Sequence, residues 1–306
     1  MLEYIVKRIG QTILVLFCVS VFAFSLIRLA PGNPALLMVP DGSSEEVIAA
    51  MEEKLGLKDP LYVQYFRYIT GVLKGDLGES TQYRVPVINI VKDRLPNTAL
   101  LALASVIAGL CIAIPLGIFA GSHRGTAADF FAMFVALLGQ SFSPVWLSIF
   151  LMMMFANWLG ILPAMGMGSW KNLILPVATL AYPMAAQITR VGRSGMIDTL
   201  SEDYITATYA KGISRAEVNW KYAFKNALIP IVTLVGITMG SFLSGTVIVE
   251  TVFGWSGIGQ LMQQSVGVRD YAMVQSLILI SASLIAIINM IVDIINSFID
   301  PRMTLS

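Results

Sequence analysis

Between Phe130 and Trp170 the chain runs 41 residues without a charged side chain. As one helix that stretch would be about 60 Å long, twice the ~30 Å hydrocarbon core of a bilayer. It therefore holds one membrane span and something else. The expected division is a span over Phe130–Trp158, bent near Pro144, then a Gly/Pro-rich surface turn over Leu159–Lys171. Composition agrees with a membrane setting. The chain is 56% apolar and 13% charged, against about 25% charged in soluble domains. The net charge of +1 gives no basic field for nucleic acid.

Other apolar runs complete the pattern. Ile9–Ile27 is 19 residues without a charge, long enough to span. A cleaved signal peptide is the rival reading. The run exceeds an ordinary signal core, and no small-x-small site precedes the polar segment that follows. Asn97–Ser122, 26 residues without a charge, is a second span with a kink expected at Pro115. A fourth opens at Asn172 and runs to about Met196, a fifth covers Ala227–Val249, and a sixth covers Tyr271–Phe298. The expected fold is an all-α polytopic membrane protein with six transmembrane helices. Its first part, residues 1–30, is a cytoplasmic N-terminus and first span. Residues 31–96 form a small extracytoplasmic subdomain, and residues 97–306 form a five-helix core.

The insert, Pro31–Pro96, carries nine acidic and seven basic side chains. Ser43 or Ser44 is placed to cap a helix reaching about Leu55, and Pro60–Leu73 reads as an amphipathic helix. Its Tyr62, Tyr65, Phe66 and Tyr68 are expected to form the insert's own core.

The longest polar segment of the second half is Arg190–Pro230, with six Lys/Arg and four Asp/Glu. Asp203–Lys211 and Ser214–Phe224 read as two helices, with Gly212 supplying the left-handed turn between them. Ser214 and Glu217 form a capping-box pattern. With the N-terminus inside, the inner segments hold ten Lys/Arg and the short outer loops only Lys171 and Arg269. Cationic loops stay on the cytoplasmic side, so this segment and both termini are expected there.

Motifs for self-contained chemistry are absent: no GxxxxGK[ST], GxSxG or HExxH occurs. No catalytic or metal-binding residue is assigned. His123 lacks clustered ligand partners, and Met165 with Met167 read as loop packing rather than soft metal ligands. Cys18 and Cys111 read as buried small hydrophobes. Asp293 is the one clearly intramembrane ionisable residue. Asn289 and Asn296 share its helical face, so it is expected in a polar patch against another helix. Glu250 and Arg28 fall at outer ends of spans, where polar heads reach water. A membrane pathway without an energy source calls for a separate ATPase. A self-sufficient secondary transporter would want mid-membrane carboxylates and an inverted repeat, and an intramembrane enzyme would want a nucleophile–base pair.

The cytoplasmic segment resembles the loop of permease subunits of ABC importers. The match is to the dipeptide/oligopeptide/nickel branch, whose pattern is DYxxxARAKG…RNAxxP. Here it reads Asp203-Tyr204, Ala207, Ala210-Lys211-Gly212, then Lys225-Asn226-Ala227 and Pro230. Thr208 and Tyr209 stand where the branch usually has Ala and Arg. LAPGNPA (Leu29–Ala35), LGLKDPLYVQYFRYITGVLKGDLGES (Leu55–Ser80), Leu162-Pro163, VIVETVFGWSGIG (Val247–Gly259), Arg269–Tyr271 and Asp300–Arg302 are similar to further branch motifs. Asn33, Ser256 and Ala272 depart from the usual Asp, Pro and Pro. The first two motifs mark the first-permease type.

The resemblance implies an assembly in a bacterial or archaeal cytoplasmic membrane. Its members are a second homologous permease, two ABC ATPases and an extracytoplasmic substrate-binding protein. ATP and Mg would be bound by the ATPases, and no cofactor by this chain. Asp203, Tyr204, Ala207, Ala210, Lys211 and Gly212 would seat in an ATPase groove. The insert and the Glu250–Asp270 loop would face the binding protein, with Tyr62 and Trp255 expected at the docking surface. Short peptides are the expected substrate. Nickel, metal chelates, opines and glutathione are the alternatives within the branch.

Overall fold

The structure is a computed structural model that describes residues 2–29, 35–36, 39, 42–54 and 56–299. Pro31–Pro34 and Asp300–Ser306 lie outside the described residues, and with them most of the LAPGNPA motif and the Asp300–Arg302 motif. The described chain is helical, with one isolated bridge between Glu79 and Pro86.

Helix α1 (Leu2–Leu29) is followed by two helices of the insert, α2 (Glu45–Lys54) and α3 (Leu61–Leu73). The aromatics of α3 do not build a core of the insert's own. Tyr65 and Tyr68 pack on Phe24 of α1, with ring centroids 5.4 and 6.0 Å away. The Tyr65 hydroxyl also shares a 2.8 Å hydrogen bond with Ser20. The insert has too little apolar mass to close on itself, so it uses the first membrane helix as its second layer. Tyr62 and Phe66, on the other face, stay exposed.

Helix α4 runs from Val87 to Ser122. It starts ten residues before the expected Asn97. Val87, Ile90, Val91 and Leu95 recur at helical spacing and pack on Ile258, Leu261, Met273 and Leu277. That packing outweighs the one hydrogen bond lost at Pro96.

Next come α5 (Ala127–Ser141) and α6 (Pro144–Leu151), the latter continuing as a π-helix over Met152–Trp158. The expected bend at Pro144 is a break: the two limbs meet at 103°. Phe142 and Ser143 are extended there, and proline then starts the second limb, where its missing N–H costs nothing.

Helix α7 (Lys171–Leu200) is the centre of the core. It lies against α4 so closely that a Cβ at Gly121 would sit 2.5 Å from the Met196 Cβ. A two-residue turn leads to α8 (Asp203–Ala210). Then α9 (Arg215–Glu217) passes through a π-helical stretch, Val218–Ala223, into α10 (Phe224–Leu243) without interruption. The second short helix of the polar segment is therefore the start of the fifth span, not a separate element. That span ends at Leu243 rather than Val249. Gly245, at φ 101°, turns the chain, and a Cβ there would lie 2.8 Å from Gly259. Helices α11 (Val247–Val252), α12 (Ile258–Gly267) and α13 (Tyr271–Ile299) complete the chain.

Among the described residues, four helices are long and apolar enough to cross a membrane, or five with the bent α5–α6 pair. The expected fourth span, α7, has the length but not the apolarity. Much of it is sheathed by protein, so Thr179, Thr189 and Pro176 sit on it buried against neighbouring helices. The outer helices instead present Phe17, Phe22, Ile107, Phe130 and Phe131 outward. Cys18 and Cys111 are on this outward side and exposed, not buried as expected.

Candidate functional site

The polar segment folds into an elbow. Its first arm, α8, follows α7 through a turn closed by Ser201 N–H to Asp198 (3.3 Å) and Glu202 N–H to Thr199 (3.1 Å). Only Ile205 and Thr208 of α8 are buried. Asp203, Tyr204, Ala207, Ala210 and Lys211 all point outward, and Gly212 is exposed beside them. These are the six residues picked out by the sequence, brought together on one surface. Gly212 turns the chain at φ 80°, and its N–H closes on the Tyr209 carbonyl at 2.9 Å. Ser214 then caps the second arm by accepting from the Glu217 N–H at 3.3 Å.

The elbow is braced across its mouth. Asn226 Nδ2 donates to the Tyr204 hydroxyl at 2.7 Å, tying the first turn of α8 to the start of α10. Below, Ala223 and Ala227 pack with Ile118 and Met196. Asp-Tyr and Asn-Ala, 22 residues apart, are thus the two ends of one contact. Thr208 and Tyr209, which replace the usual Ala and Arg, fall on opposite sides: Thr208 turns inward and returns its hydroxyl to the Tyr204 carbonyl at 2.7 Å.

A second constellation closes the other end of the bundle, where α11 and α12 form a hairpin. Its hub is Glu250, 0% exposed rather than reaching water as expected. Its carboxylate accepts from the Thr98 hydroxyl (3.0 Å) and the Gln260 N–H (2.9 Å). Thr98 in turn accepts from the Ile258 N–H at 2.8 Å. A carboxylate at the start of α12 meets donors that the helix itself cannot satisfy. Burial pushes the Glu250 carboxyl above the usual range, against the opposing pull of the Gln260 N–H and the Thr98 hydroxyl. Asp270, also fully buried, accepts from the Ser80 hydroxyl and from the Met273 N–H at 3.2 Å. It thereby joins the hairpin to the loop before α4.

Trp255 is part of this lock, not of a docking surface. It is 3% exposed, and its indole N–H donates to the Asn97 carbonyl at 3.0 Å. It packs with Leu101, Leu175, Val249 and Phe253. Of the two residues expected at a docking surface, Tyr62 is the exposed one, at 75%. Met167 serves the same packing, its sulfur accepting from the Ser256 N–H at 3.1 Å. Asp293 pairs with Arg8 of α1 at 2.9 Å, and its neighbour Asn296 donates to Thr233 at 2.8 Å. Among the described residues no group of three or more His, Cys, Asp or Glu converges on a metal-sized site.

Two sequence profiles match the chain. The family described as binding-protein-dependent transport system inner membrane component matches residues 113–305, and its N-terminal membrane component matches residues 1–102. The chain belongs to this family. It is a permease subunit of an ABC importer. Glutathione transport system permease proteins GsiC are similar end to end. That of Salmonella paratyphi A is 39% identical over 301 residues, covering 98% of each chain. Those of Salmonella typhimurium and Escherichia coli K12 are 38% and 37% identical over the same span. Among solved structures, an inward-facing conformation of the MetNI methionine ABC transporter superposes with a TM-score of 0.59 at 18% identity. It covers 69% of this chain and 96% of that one. That likeness establishes the helical permease fold. Sequence reasoning found the elbow and its motif, but missed Glu250 and Asp270 as anchors. Around Glu250 the site is marked by Gly257 and Gly259, where an added Cβ would lie 2.5 and 3.1 Å from the Glu250 Oε2.

Proposed function

We propose that this permease carries a short peptide of about glutathione's size into the cytoplasm, with the elbow as its point of coupling to ATP hydrolysis. What carries the substrate assignment is the 98% span of likeness to permeases named for glutathione transport. Glutathione is itself a tripeptide, so this reading and the broader short-peptide reading differ in linkage rather than in class. The assembly would comprise this chain, a second homologous permease, two ABC ATPases and an extracytoplasmic binding protein. ATP and Mg sit on the ATPases. The cationic elbow and both termini face the cytoplasm, following the charge asymmetry of the loops.

In this assembly the exposed face of α8 enters a groove of one ATPase. Closure of the ATPases displaces α8, and α8 is too firmly braced to move alone: Ile205 is buried, Tyr204 is tied to Asn226, and only two residues separate it from α7. Displacement is thus passed to the spans as a rigid-body shift. Ala207 and Ala210 are small where the backbone must approach the partner, and Lys211 adds a cation at the helix's C-terminal end.

The test is co-purification of the tagged chain with its partners, reconstitution into liposomes, and ATP-dependent uptake of radiolabelled glutathione, trialanine and nickel. Uptake of glutathione or trialanine with ATP and binding protein supports the assignment. Uptake of nickel alone would move the substrate to the metal branch. Solute movement down an ion gradient without ATP would overturn the coupling reading altogether.

A further inference from the structure

Two charged side chains that the elbow does not use lie close behind it. Asp129, in the first turn of α5, is 2% exposed. Arg193 of α7 grips it with a two-pronged contact, Nε to Oδ1 at 2.6 Å and Nη2 to Oδ2 at 2.7 Å. The Gly125 N–H adds a third donor to the carboxylate at 3.0 Å. An ion pair with Asp129 buried and Arg193 26% exposed is a poor device for stability alone, since desolvation of the carboxylate offsets much of the attraction. A planar fork does fix the distance and angle between two helices.

Its position gives that rigidity a use. Arg193 lies two turns before the end of α7, which leads directly into α8. Farther along, α5 is held to the same helix by the Tyr182 hydroxyl donating to the Val135 carbonyl at 3.0 Å. Gly139 meets Ala186 and Tyr182 there, where an added Cβ would come within 3.0 and 3.2 Å. So α5 lies along α7 with its only charged fastening, among the described residues, at the elbow end. Beyond the extended Phe142–Ser143 break, the second limb turns by 103°. Its end packs Met152, Phe155 and Ala156 against a cluster that joins Val249, Phe253 and Trp255 of the outer hairpin to Leu101 of α4 and Leu175 of α7. One broken helix thus touches the elbow-bearing helix at one end and the outer lock at the other.

We propose that Asp129 and Arg193 form a latch that makes α5 travel with α7, so that displacement of the elbow reaches the outer hairpin through the bend at Pro144. Both are positioning residues. This inference rests on the ATP-coupled importer reading. The test uses the reconstituted full assembly and measures solute moved per ATP hydrolysed. Arg193→Lys keeps the charge but loses the fork. The double change Asp129→Leu with Arg193→Met fills the same space without either charge. With the latch as proposed, both variants assemble and hydrolyse ATP, and solute moved per ATP falls at least tenfold. Four results count against it. Uptake and hydrolysis falling in proportion would leave the ratio unchanged and make the pair merely structural. A wild-type ratio in the apolar double variant would show that filling the space suffices. A wild-type ratio in Arg193→Lys would show that the fork is dispensable. Failure of even Arg193→Lys to assemble would make the pair a folding element. Failure of the importer reading is distinguishable, because wild type would then show no ATP-dependent uptake.

Discussion

Gly212 separates two reasons a glycine is needed, and the structure gives different magnitudes for each. Its φ is 80°, yet a Cβ added there meets nothing within 4 Å in this subunit. An alanine at 212 therefore costs only backbone strain, about 1–2 kcal/mol for an L-residue in the left-handed region. That is small beside the 5–15 kcal/mol that typically holds a fold together, so insertion and assembly of the spans should survive. It is large for a local elbow. A shift of 1–2 kcal/mol lowers the equilibrium constant for the native turn by about 5- to 30-fold, which is the upper bound on the loss of apparent affinity for the ATPase. Asparagine tolerates the left-handed region better and should recover most of that loss. Leucine has the same backbone cost as alanine in this chain. Any loss beyond alanine's is then a direct measure of how closely the ATPase lies over Gly212. The assay is ATPase binding to the detergent-purified permease, with uptake measured in liposomes and thermal melting as the control. An alanine variant with wild-type affinity would refute the requirement for the left-handed turn. Equal losses in alanine and asparagine would refute the conformational account.

Three further outcomes follow from the geometry. Glu250→Ala leaves the Thr98 hydroxyl and Gln260 N–H without their buried acceptor, at about 1–3 kcal/mol each; Glu250→Gln keeps an acceptor and should melt close to wild type. Because burial raises the Glu250 carboxyl in the folded state, its contribution to stability is fully present below its ordinary range. It is lost as pH rises through the raised value, so the melting difference between wild type and Glu250→Gln should grow in favour of Gln with rising pH. Tyr204→Phe removes the contact to Asn226, about 0.5–1.5 kcal/mol at an exposed site, and should weaken ATPase binding by up to about tenfold with the melting temperature unmoved. Asp293→Asn should leave uptake within about twofold, because its 2.9 Å pair with Arg8 fastens α13 to α1 and takes no part in the elbow or the Glu250 lock; a large loss would make Asp293 part of an ion-coupled pathway.

The elbow was legible because its determinants are local. A glycine after a short helix, a Ser214 cap and an apolar Ile205 settle their conformations within a dozen residues. The outer lock was not, because its decisive contacts span the chain: 152 residues from Thr98 to Glu250, 158 from Asn97 to Trp255 and 190 from Ser80 to Asp270. A carboxylate at the end of an apolar run reads as a head reaching water. Only the tertiary structure supplies the unmet amides at the start of α12 that draw it inward. The same limit hid the start of α4, where Pro96 reads as a boundary until the partners of Val87 and Val91 are known.

These two regions are not independent. Thr98, which anchors Glu250, stands on the same helix as Gly117 and Gly121, which admit α7 at backbone distance. A Cβ at Gly117 would lie 3.2 Å from the Thr189 carbonyl and one at Gly121 3.1 Å from the Arg193 carbonyl. Backbones packed this closely leave no room to slide, so α4 and α7 act as one body. That body carries the elbow at one end and supplies Thr98 to the Glu250 lock at the other. Relative motion must then occur where packing is interrupted: at the Phe142–Ser143 break and at the two π-helical stretches. An importer that moves its elbow without unfolding its outer lock needs such breaks, and the chain places them on the helices that flank the rigid pair.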